Sequence, residues 1–333
     1  MNKQYDLAVF ITRAQPIHNG HESILQKANT IAKKTLVLVG SANASPSPRN
    51  PFTYEERKHM IKMVSSKVIV EPLNDYVYEE NQWLTDVQEV VSSYSTKKVC
   101  IIGYSKDDSS YYLKHFPQWD FVDVEYFEVI DATHIRELMF KGKKTFIKGA
   151  VHVNTMTAIT QFVQTERFTN LTEEFDFIEK YKADWAFAPF PATFNTVDAV
   201  VVQSGHILLI QRKFAPGKGL WAIPGGFIDA NESQEDAVIR ELREETKIKV
   251  PEPVLRGSIV KEKTFSDPIR SSRGRTFTQA YLIQLDDNQT LPKVRGGDDA
   301  EHAEFVPLAK FYDMAEQMYE DHYHIVRKLL DNM

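Results

Sequence analysis

The 333-residue chain contains a single cysteine, Cys100. No intrachain disulfide can form, and within the apolar run 99–102 the thiol reads as core packing. Long apolar stretches are missing too. None approaches the roughly 18 uninterrupted apolar residues that a membrane span requires, and the opening MNKQYDLAVF lacks the apolar core of a secretory leader. The expectation is a soluble, cytoplasmic protein with no membrane partner. Excess positive charge is also absent. A formal net charge of −6 argues against a general polyanion binder, so no nucleic-acid partner is expected. No G-x-G-x-x-G follows the first strand-like run, which removes a dehydrogenase reading. There is neither an internal repeat nor a low-complexity tract.

The length fits about two domains, and 42% hydrophobic with 26% charged residues is ordinary for globular chains. Apolar or β-branched runs at 7–11, 35–40, 67–71, 99–103 and 122–129 alternate with helical patterns at 22–33, 53–65 and 83–94. Strands alternating with helices predict βαβ units and a parallel sheet. Two further helices are expected over 154–166 and 172–181. The Pro- and Phe-rich FAPFPATFN at 187–195 continues neither of them. Beyond it, 197–202, 206–211, 254–265 and 276–285 read as strands around one Glu-rich helix. The expected division is 1–150, a helical linker at 151–183, and 184–333.

Two features stand out. In AQPIHNGHES, residues 14–23, two of the ten histidines flank a tight turn just after the first strand-like run. A strand ending in a turn that opens a helix lies at the carboxyl edge of a parallel sheet, where ligands bind. Two imidazoles there, with an arginine nearby, can stabilise charge on a phosphoryl group in flight. Taken alone, the pair His18 and His21 reads as a helix cap. Far downstream, Glu241, Glu244 and Glu245 fall within about a 100° arc of one helix at about 100° per residue, next to Val238, Ile239 and Leu242. Three like charges at these spacings repel, and a solvated face would intersperse Lys. A carboxylate cluster beside a turn is what Mg²⁺ requires, hard oxygens with positions left for water and phosphate.

TRAQPIHNGH, residues 12–21, resembles the GRFQPxHxGH signature of nicotinamide mononucleotide (NMN) adenylyltransferases in the nucleotidyltransferase superfamily, with Arg13, Gln15, Pro16, His18, Gly20 and His21 matching. Thr12 stands where Gly is usual and Ala14 where Phe is usual. The family's second signature, ISxTxIR, has its counterpart in IDATHIR at 130–136, with Thr133 and Arg136 matching and Asp131 in place of Ser. A hydroxyl and an arginine at a helix N-terminus form an anion site. The resemblance, over roughly 1–150, implies ATP and NMN as substrates and a catalytic set of His18, His21, Arg13 and Arg136. Gln15, Gly20, Thr133 and Arg49, the last in RNPFTYEER, are implied binding residues. Trp83 is implied as the aromatic stacked on the pyridine ring, and on an amphipathic helix it also reads as core.

GGFIDANESQEDAVIRELREETKIKV, residues 225–250, resembles the Nudix box GX5EX7REUXEEXGU. Gly226, Glu232, Arg240, Glu241, Leu242, Glu244, Glu245 and Ile248 match. Lys247 replaces the second Gly, a helix-ending residue, so altered turn geometry is expected with the chemistry intact. The resemblance implies metal ligation by Glu241 and Glu245 with Glu244 and Gly225 close by, Arg240 orienting the carboxylates through a bidentate pair, and a catalytic part for Glu244. The implied cofactor is Mg²⁺, with Mn²⁺ as a substitute. The segment 264–282 resembles the RSxRGRT element of ADP-ribose-directed Nudix proteins. It implies Arg270, Arg273 and Arg275 as clamps on the substrate, and 295–308 supplies acids suited to a catalytic base.

Both halves in this order resemble a bifunctional family that joins NMN adenylyltransferase to Nudix ADP-ribose pyrophosphatase. The expected fold is α/β throughout. The N-terminal part is a Rossmann-like nucleotidyltransferase domain, a parallel sheet with helices on both faces, and the C-terminal part is a Nudix α/β/α sandwich with a mixed sheet. The expected reactions are transfer of AMP from ATP to NMN, releasing pyrophosphate, and metal-dependent hydrolysis of ADP-ribose to AMP and ribose 5-phosphate. Homo-oligomerisation is left open. The alternative is a transferase for another phosphate ester fused to a non-catalytic ADP-ribose sensor. The intact box speaks against it, as does the lack of a winged-helix pattern after Leu308.

Overall fold

A computed structural model describes residues 3–95, 97–104, 115–125, 131–287 and 289–331. The chain divides into two compact units, Met1–Thr172 and Glu173–Met333.

The first unit begins β1 (Tyr5–Thr12), α1 (Asn19–Ile31), β2 (Ala32–Val39), α2 (Tyr54–Val64), β3 (Ile69–Pro72), α3 (Glu80–Tyr94), β4 (Val99–Gly103) and β5 (Asp120–Asp123). It closes with α4 (Ala132–Phe140), α5 (Val153–Phe162) and the start of α6 (Glu166–Trp185). The five strands pair in the order β3-β2-β1-β4-β5, all in parallel. Alternation along β1 sets the two faces. Leu7, Val9 and Ile11 pack with Val87 and Val91 of α3, whereas Phe10 points to the other face, where its ring lies 5.8 Å from that of His21 on α1. Burial of such side chains stabilises by about 1.5–3 kcal/mol each. The strand order reverses at β1, so the crevice at its carboxyl end is the expected ligand position for this topology. Of the run expected as a strand at 122–129, residues 126–129 lie outside the described residues. Cys100 is fully buried in β4, and burial pushes its thiol up to about 12.

The helix α6 runs without a break across the division at 172/173. The second unit continues with β6 (Thr193–Gln203), β7 (His206–Arg212), β8 (Trp221–Ala222), β9 (Gly225–Phe227) and α7 (Gln234–Thr246). Then come α8 (Glu252–Gly257), β10 (Ile259–Phe265), β11 (Arg275–Gln284), β12 (Ala300–Pro307), α9 (Leu308–Phe311) and α10 (His322–Leu330). The sheet is mixed, in the order β10-β11-β6-β7-β12, with β8 on β7 and β9 on β6. Only β11 and β6 among these pairs run parallel. Val238, Ile239 and Leu242 of α7 pack on Val197, Ala199 and Val201 of β6.

Two elements differ from the expectation. The segment 254–265, read as one strand, begins as helix α8 because Val254 and Leu255 both donate to the Pro251 carbonyl, a turn that Pro253 in its first residues favours. The acidic stretch at 300–307 is strand β12, antiparallel to β7. Its alternation is masked because the outward positions are Glu and His.

Candidate active sites

In the first unit, α1 starts with His18 as N-cap. His18 Nδ1 accepts from Gly20 N–H at 3.2 Å, and His21 Nδ1 accepts from His18 N–H at 3.2 Å. This reciprocal pair satisfies amides that the helix leaves without partners. The histidines therefore do cap the helix, and they do so through Nδ1 alone. A neutral imidazole whose Nδ1 accepts carries its proton on Nε2, so capping fixes the tautomer of both rings. Burial, with His18 beside it, holds His21 well below its ordinary range and keeps it neutral. The two ring centroids are 3.8 Å apart. A side chain at Gly20 would meet the His18 ring at 3.0 Å.

Two arginines converge on the same edge. Arg136, 7% exposed, donates to the Gln15 carbonyl at 2.8 Å and to Thr133 Oγ1 at 3.1 Å. Among the described residues nothing hydrogen-bonds the Arg13 guanidinium. Burial and then Arg49 bring Arg13 down to about 10, against the pull of Asp75. Burial followed by Arg13 and Arg49 does the same to Arg136. Both remain cationic at neutral pH, and their mutual repulsion marks a site built for an anion. Arg49 itself is exposed. Asp131 is the N-cap of α4, its Oδ1 accepting from His134 N–H at 2.9 Å, so it does the capping work of the Ser it replaces.

Gln15 is turned away from this edge. It is 1% exposed and bonds the Phe52 backbone twice, Nε2 to the carbonyl at 2.9 Å and Oε1 from the amide at 3.0 Å. A cavity of about 300 Å³ opens at the carboxyl ends of the strands, lined among others by Thr12, Arg13, His21, Asp75, Trp83 and Tyr104. Trp83 both lines it and packs on the core beneath, its ring 6.1 Å from that of Phe116. Sequence reasoning missed Arg57 and Asp75. Arg57, 1% exposed, donates to the carbonyls of Arg13, Gly40 and Ser41 at 2.8, 2.6 and 2.9 Å, tying the β1 and β2 loops together. Asp75 accepts from Ser41 N–H at 3.2 Å. Arg57 lies within the quoted RNPFTYEER, but its acceptors are backbone atoms that no residue pattern displays.

In the second unit the glutamates surround one guanidinium. Arg240 makes a bidentate pair with Glu232, Nε and Nη2 at 3.0 and 2.6 Å. Its Nη1 reaches Glu241 Oε1 at 2.8 Å and Glu244 Oε2 at 3.0 Å, and Nη2 also donates to the Phe227 carbonyl at 3.0 Å. Glu245, 4% exposed, accepts from Gly225 N–H at 3.0 Å. Burial, against the Gly225 bond and with Glu241 adding to it, pushes Glu245 up to about 8. Glu241 is also raised, chiefly by burial. Gly225 is a steric necessity, and Gly226 lies close against the Glu241 carboxylate. A Cβ on Gly225 would sit 2.2 Å from the Val197 carbonyl oxygen, and one on Gly226 would sit 2.5 Å from Glu241 Oε1. Lys247 adopts the left-handed cap itself (φ 46°, ψ 30°). The turn expected to change is therefore kept, at about 1–2 kcal/mol of backbone strain.

Among the described residues no three His, Cys, Asp or Glu side chains already converge as a metal cage, because Arg240 and the Gly225 amide hold the carboxylates. The donor set nonetheless fits a hard divalent cation. Glu241 and Glu245 are desolvated, and their carboxylates and that of Glu244 are hard oxygen donors on one helix face. The loop carrying Asp298 and Asp299 docks on the end of α7 through Arg295 N–H to Thr246 O and Gly297 N–H to Glu245 O, at 2.8 and 3.0 Å. Asp298 adds to the upward push on Glu241, and Asp299 to that on Glu245.

The three expected clamps diverge. Arg270 makes a buried bidentate pair with Asp321, 2.9 and 3.0 Å, and lies 3.9 Å from the buried Asp198. Arg273 sits 5.2 Å over the Phe227 ring. Arg275 donates to the Ser266 carbonyl at 2.6 Å. Asp198 and Asp321 escape sequence reasoning, since their partners Thr278 and Arg270 lie 80 and 51 residues away along the chain.

A Cytidylyltransferase-like family model matches residues 9–138 and a NUDIX domain model residues 193–329. The structure is similar to that of a bifunctional NMN adenylyltransferase/ADP ribose pyrophosphatase from Francisella tularensis, with TM-score 0.94 and 37% identity over 98% of this chain and 99% of that one. A second such structure from that organism, complexed with AMP and Mn ion, gives 0.93 and 36% over the same shares. A nicotinamide/nicotinic acid mononucleotide adenylyltransferase of Acinetobacter baylyi is 32% identical over 179 residues, 52% of this chain and 94% of the relative. An ADP-ribose pyrophosphatase of Methanocaldococcus jannaschii is 36% identical over 116 residues, 34% of this chain and 60% of the relative.

Proposed function

The chain belongs to the family of bifunctional NMN adenylyltransferase/ADP-ribose pyrophosphatases, and from that premise we propose how its own residues divide the two reactions. The first unit transfers AMP from ATP to NMN, giving NAD and pyrophosphate. The second hydrolyses ADP-ribose to AMP and ribose 5-phosphate. A nucleotidyltransferase joined to a sensor that binds without cleaving is not favoured.

For the transfer, the observation that carries the reading is the half-buried Arg13, whose guanidinium no described residue hydrogen-bonds. The substrate brings the nucleophile, a phosphate of NMN, so the protein supplies position and charge. Arg13 and Arg136 hold phosphate oxygens, and His18 and His21, neutral and protonated on Nε2, stabilise the charge gathering on the α-phosphoryl group. Gly20 keeps the backbone clear of the His18 ring, and Arg49 and Thr133 line the triphosphate path. Trp83 faces the pyridine ring.

For hydrolysis, a divalent cation is required, and we assign it as Mg²⁺, with Mn²⁺ as a substitute. When bound, it supplies Lewis-acid activation of water and of the pyrophosphate. Glu241 and Glu245 would hold it, with Glu244 beside them. Arg240 orients Glu241 and Glu244 through its anchor on Glu232, and Gly225 fixes Glu245. Arg273 and Arg275 bind substrate. Arg270, paired with Asp321, positions the segment that carries Arg273 and Arg275.

The test is an activity panel of ATP with NMN, nicotinate mononucleotide and phosphopantetheine, beside ADP-ribose hydrolysis with Mg²⁺ and with chelator. NAD from NMN and chelator-sensitive AMP release are the expected results. Transfer to phosphopantetheine alone, or ADP-ribose binding without AMP release, would overturn the respective half.

A further inference from the structure

The cavity in the first unit is bordered by a hydroxyl that the related signature lacks. Thr12 ends β1 at the position where Gly is usual, and it lines the cavity with Arg13 and His21. His21 Nε2 lies 3.0 Å from Thr12 Oγ1. Because His21 Nδ1 is occupied as an acceptor by His18 N–H, the proton sits on Nε2 and Thr12 must accept it. Thr12 Oγ1 also accepts from Ala14 N–H at 3.2 Å. A hydroxyl has two lone pairs and one proton. Both acceptor positions are filled, and no acceptor among the described residues takes the proton. Two incoming hydrogen bonds withdraw charge from the oxygen and make its remaining O–H a stronger donor.

We propose that Thr12 is a further catalytic residue of dinucleotide synthesis, its hydroxyl donating to a non-bridging oxygen of the phosphoryl group in transfer, with His21 acting on that group through Thr12. This rests on the adenylyl-transfer reading. Thr12 keeps its proton throughout. The bond formed joins an NMN phosphate oxygen to the α-phosphorus, and the bond broken releases pyrophosphate with its electron pair. What Thr12 contributes is stabilisation of charge on the equatorial oxygens. It also gives the departure from Gly a chemical purpose, and it turns the helix cap into one end of a relay, from the His18 amide through His21 to Thr12 to phosphate.

The test compares Thr12→Val, which keeps the branched shape, with Thr12→Ser, which keeps the hydroxyl, and Thr12→Gly, in the full chain. Thr12→Val is expected to lose roughly 10²-fold in kcat for NAD synthesis. KM for ATP and NMN should stay within about threefold, the pattern of an interaction made in the transition state. Thr12→Ser should return to within about threefold of the wild type, and Thr12→Gly should resemble Val. His21→Ala should cost much less in the Thr12→Val background than alone, since the two act in series. ADP-ribose hydrolysis and melting temperature monitor folding, and the Ser–Gly comparison decides if Val does not fold. Full kcat in Thr12→Val, a Ser variant as slow as Val, or additive losses in the double mutant would each overturn the inference. A wild type that makes no NAD from ATP and NMN overturns the transfer reading instead.

Discussion

At the sheet edge of the first unit stand Arg13, Arg136 and two neutral imidazoles. The second unit gathers Glu232, Glu241 and Glu244 around one guanidinium, with Glu245 held beside them by the Gly225 amide. Both units are proposed to act on a pyrophosphate linkage, yet they approach it with opposite charge. Burial has opposite consequences as well. Arg13 and Arg136, brought down only to about 10, keep their charge at neutral pH. Glu245, pushed up to about 8, is mostly protonated at neutral pH. One site presents cationic and neutral donors already in place on the protein. The other holds carboxylates that are raised by burial, and the proposed divalent ion would complete it.

The sharpest way to break this comparison is Glu245→Gln. Removing one carboxylate should abolish nearly all ADP-ribose hydrolysis and leave NAD synthesis intact, measured as AMP and NAD release from one preparation. Stability should move in a definite direction with pH. In the folded, metal-free unit Glu245 stays protonated up to about 8, whereas in the unfolded chain it ionises near 4.5. Between those values the folded state holds the extra proton, so wild-type stability in chelator falls as pH rises through that window. Glu245→Gln should lack this fall. A variant that keeps it places the titration elsewhere.

Next in size is His21→Ala, expected to cost roughly 10²–10³ in NAD synthesis with hydrolysis near normal. Equal loss of both activities in a folded variant would erase the distinction between the sites. Gly226→Ala probes how closely the second site is packed, since its Cβ would press on Glu241 at 2.5 Å. Hydrolysis should drop about 10–100-fold as the carboxylate shifts, with roughly 1–3 kcal/mol of destabilisation seen in denaturant melts. Unchanged hydrolysis would remove Glu241 from the ligand set. The smallest effect is expected from Thr53→Ala. It removes the side-chain half of the α2 capping box, Thr53 Oγ1 from Glu56 N–H at 3.3 Å. The first unit should lose about 1 kcal/mol while both activities persist, which calorimetry and the two assays can check together.

The legibility of the two sites follows from how far their partners lie along the chain. His18 and His21 are three residues apart and share one turn. Glu241, Glu244 and Glu245 share one helix, so periodicity alone gathers them. The βαβ alternation was readable for the same reason, since each element carries its own apolar period. What escaped were groups whose partners are backbone atoms or distant carboxylates. Arg57 acts on carbonyls 16 to 44 residues away, and β12 hides its pairing behind outward-facing charge.

The sequence by itself therefore determined the residue types, their local spacing and the chemistry those imply: donors on a turn in one half, carboxylates on a helix face in the other. Tertiary structure decided which of those groups remain available. Arg270 reads in the sequence like Arg273, three residues on, but the return of the chain 51 residues later brings Asp321 to its fork and commits it to a buried pair. Gln15 is likewise committed to Phe52, while the Arg13 guanidinium is left without a hydrogen-bonding partner among the described residues. Thr12 looked like a departure from a signature until β1 set its hydroxyl 3.0 Å from His21. A buried polar group must satisfy its hydrogen bonds wherever the fold supplies partners, and that supply is fixed by which strands and loops meet, a property no local pattern encodes.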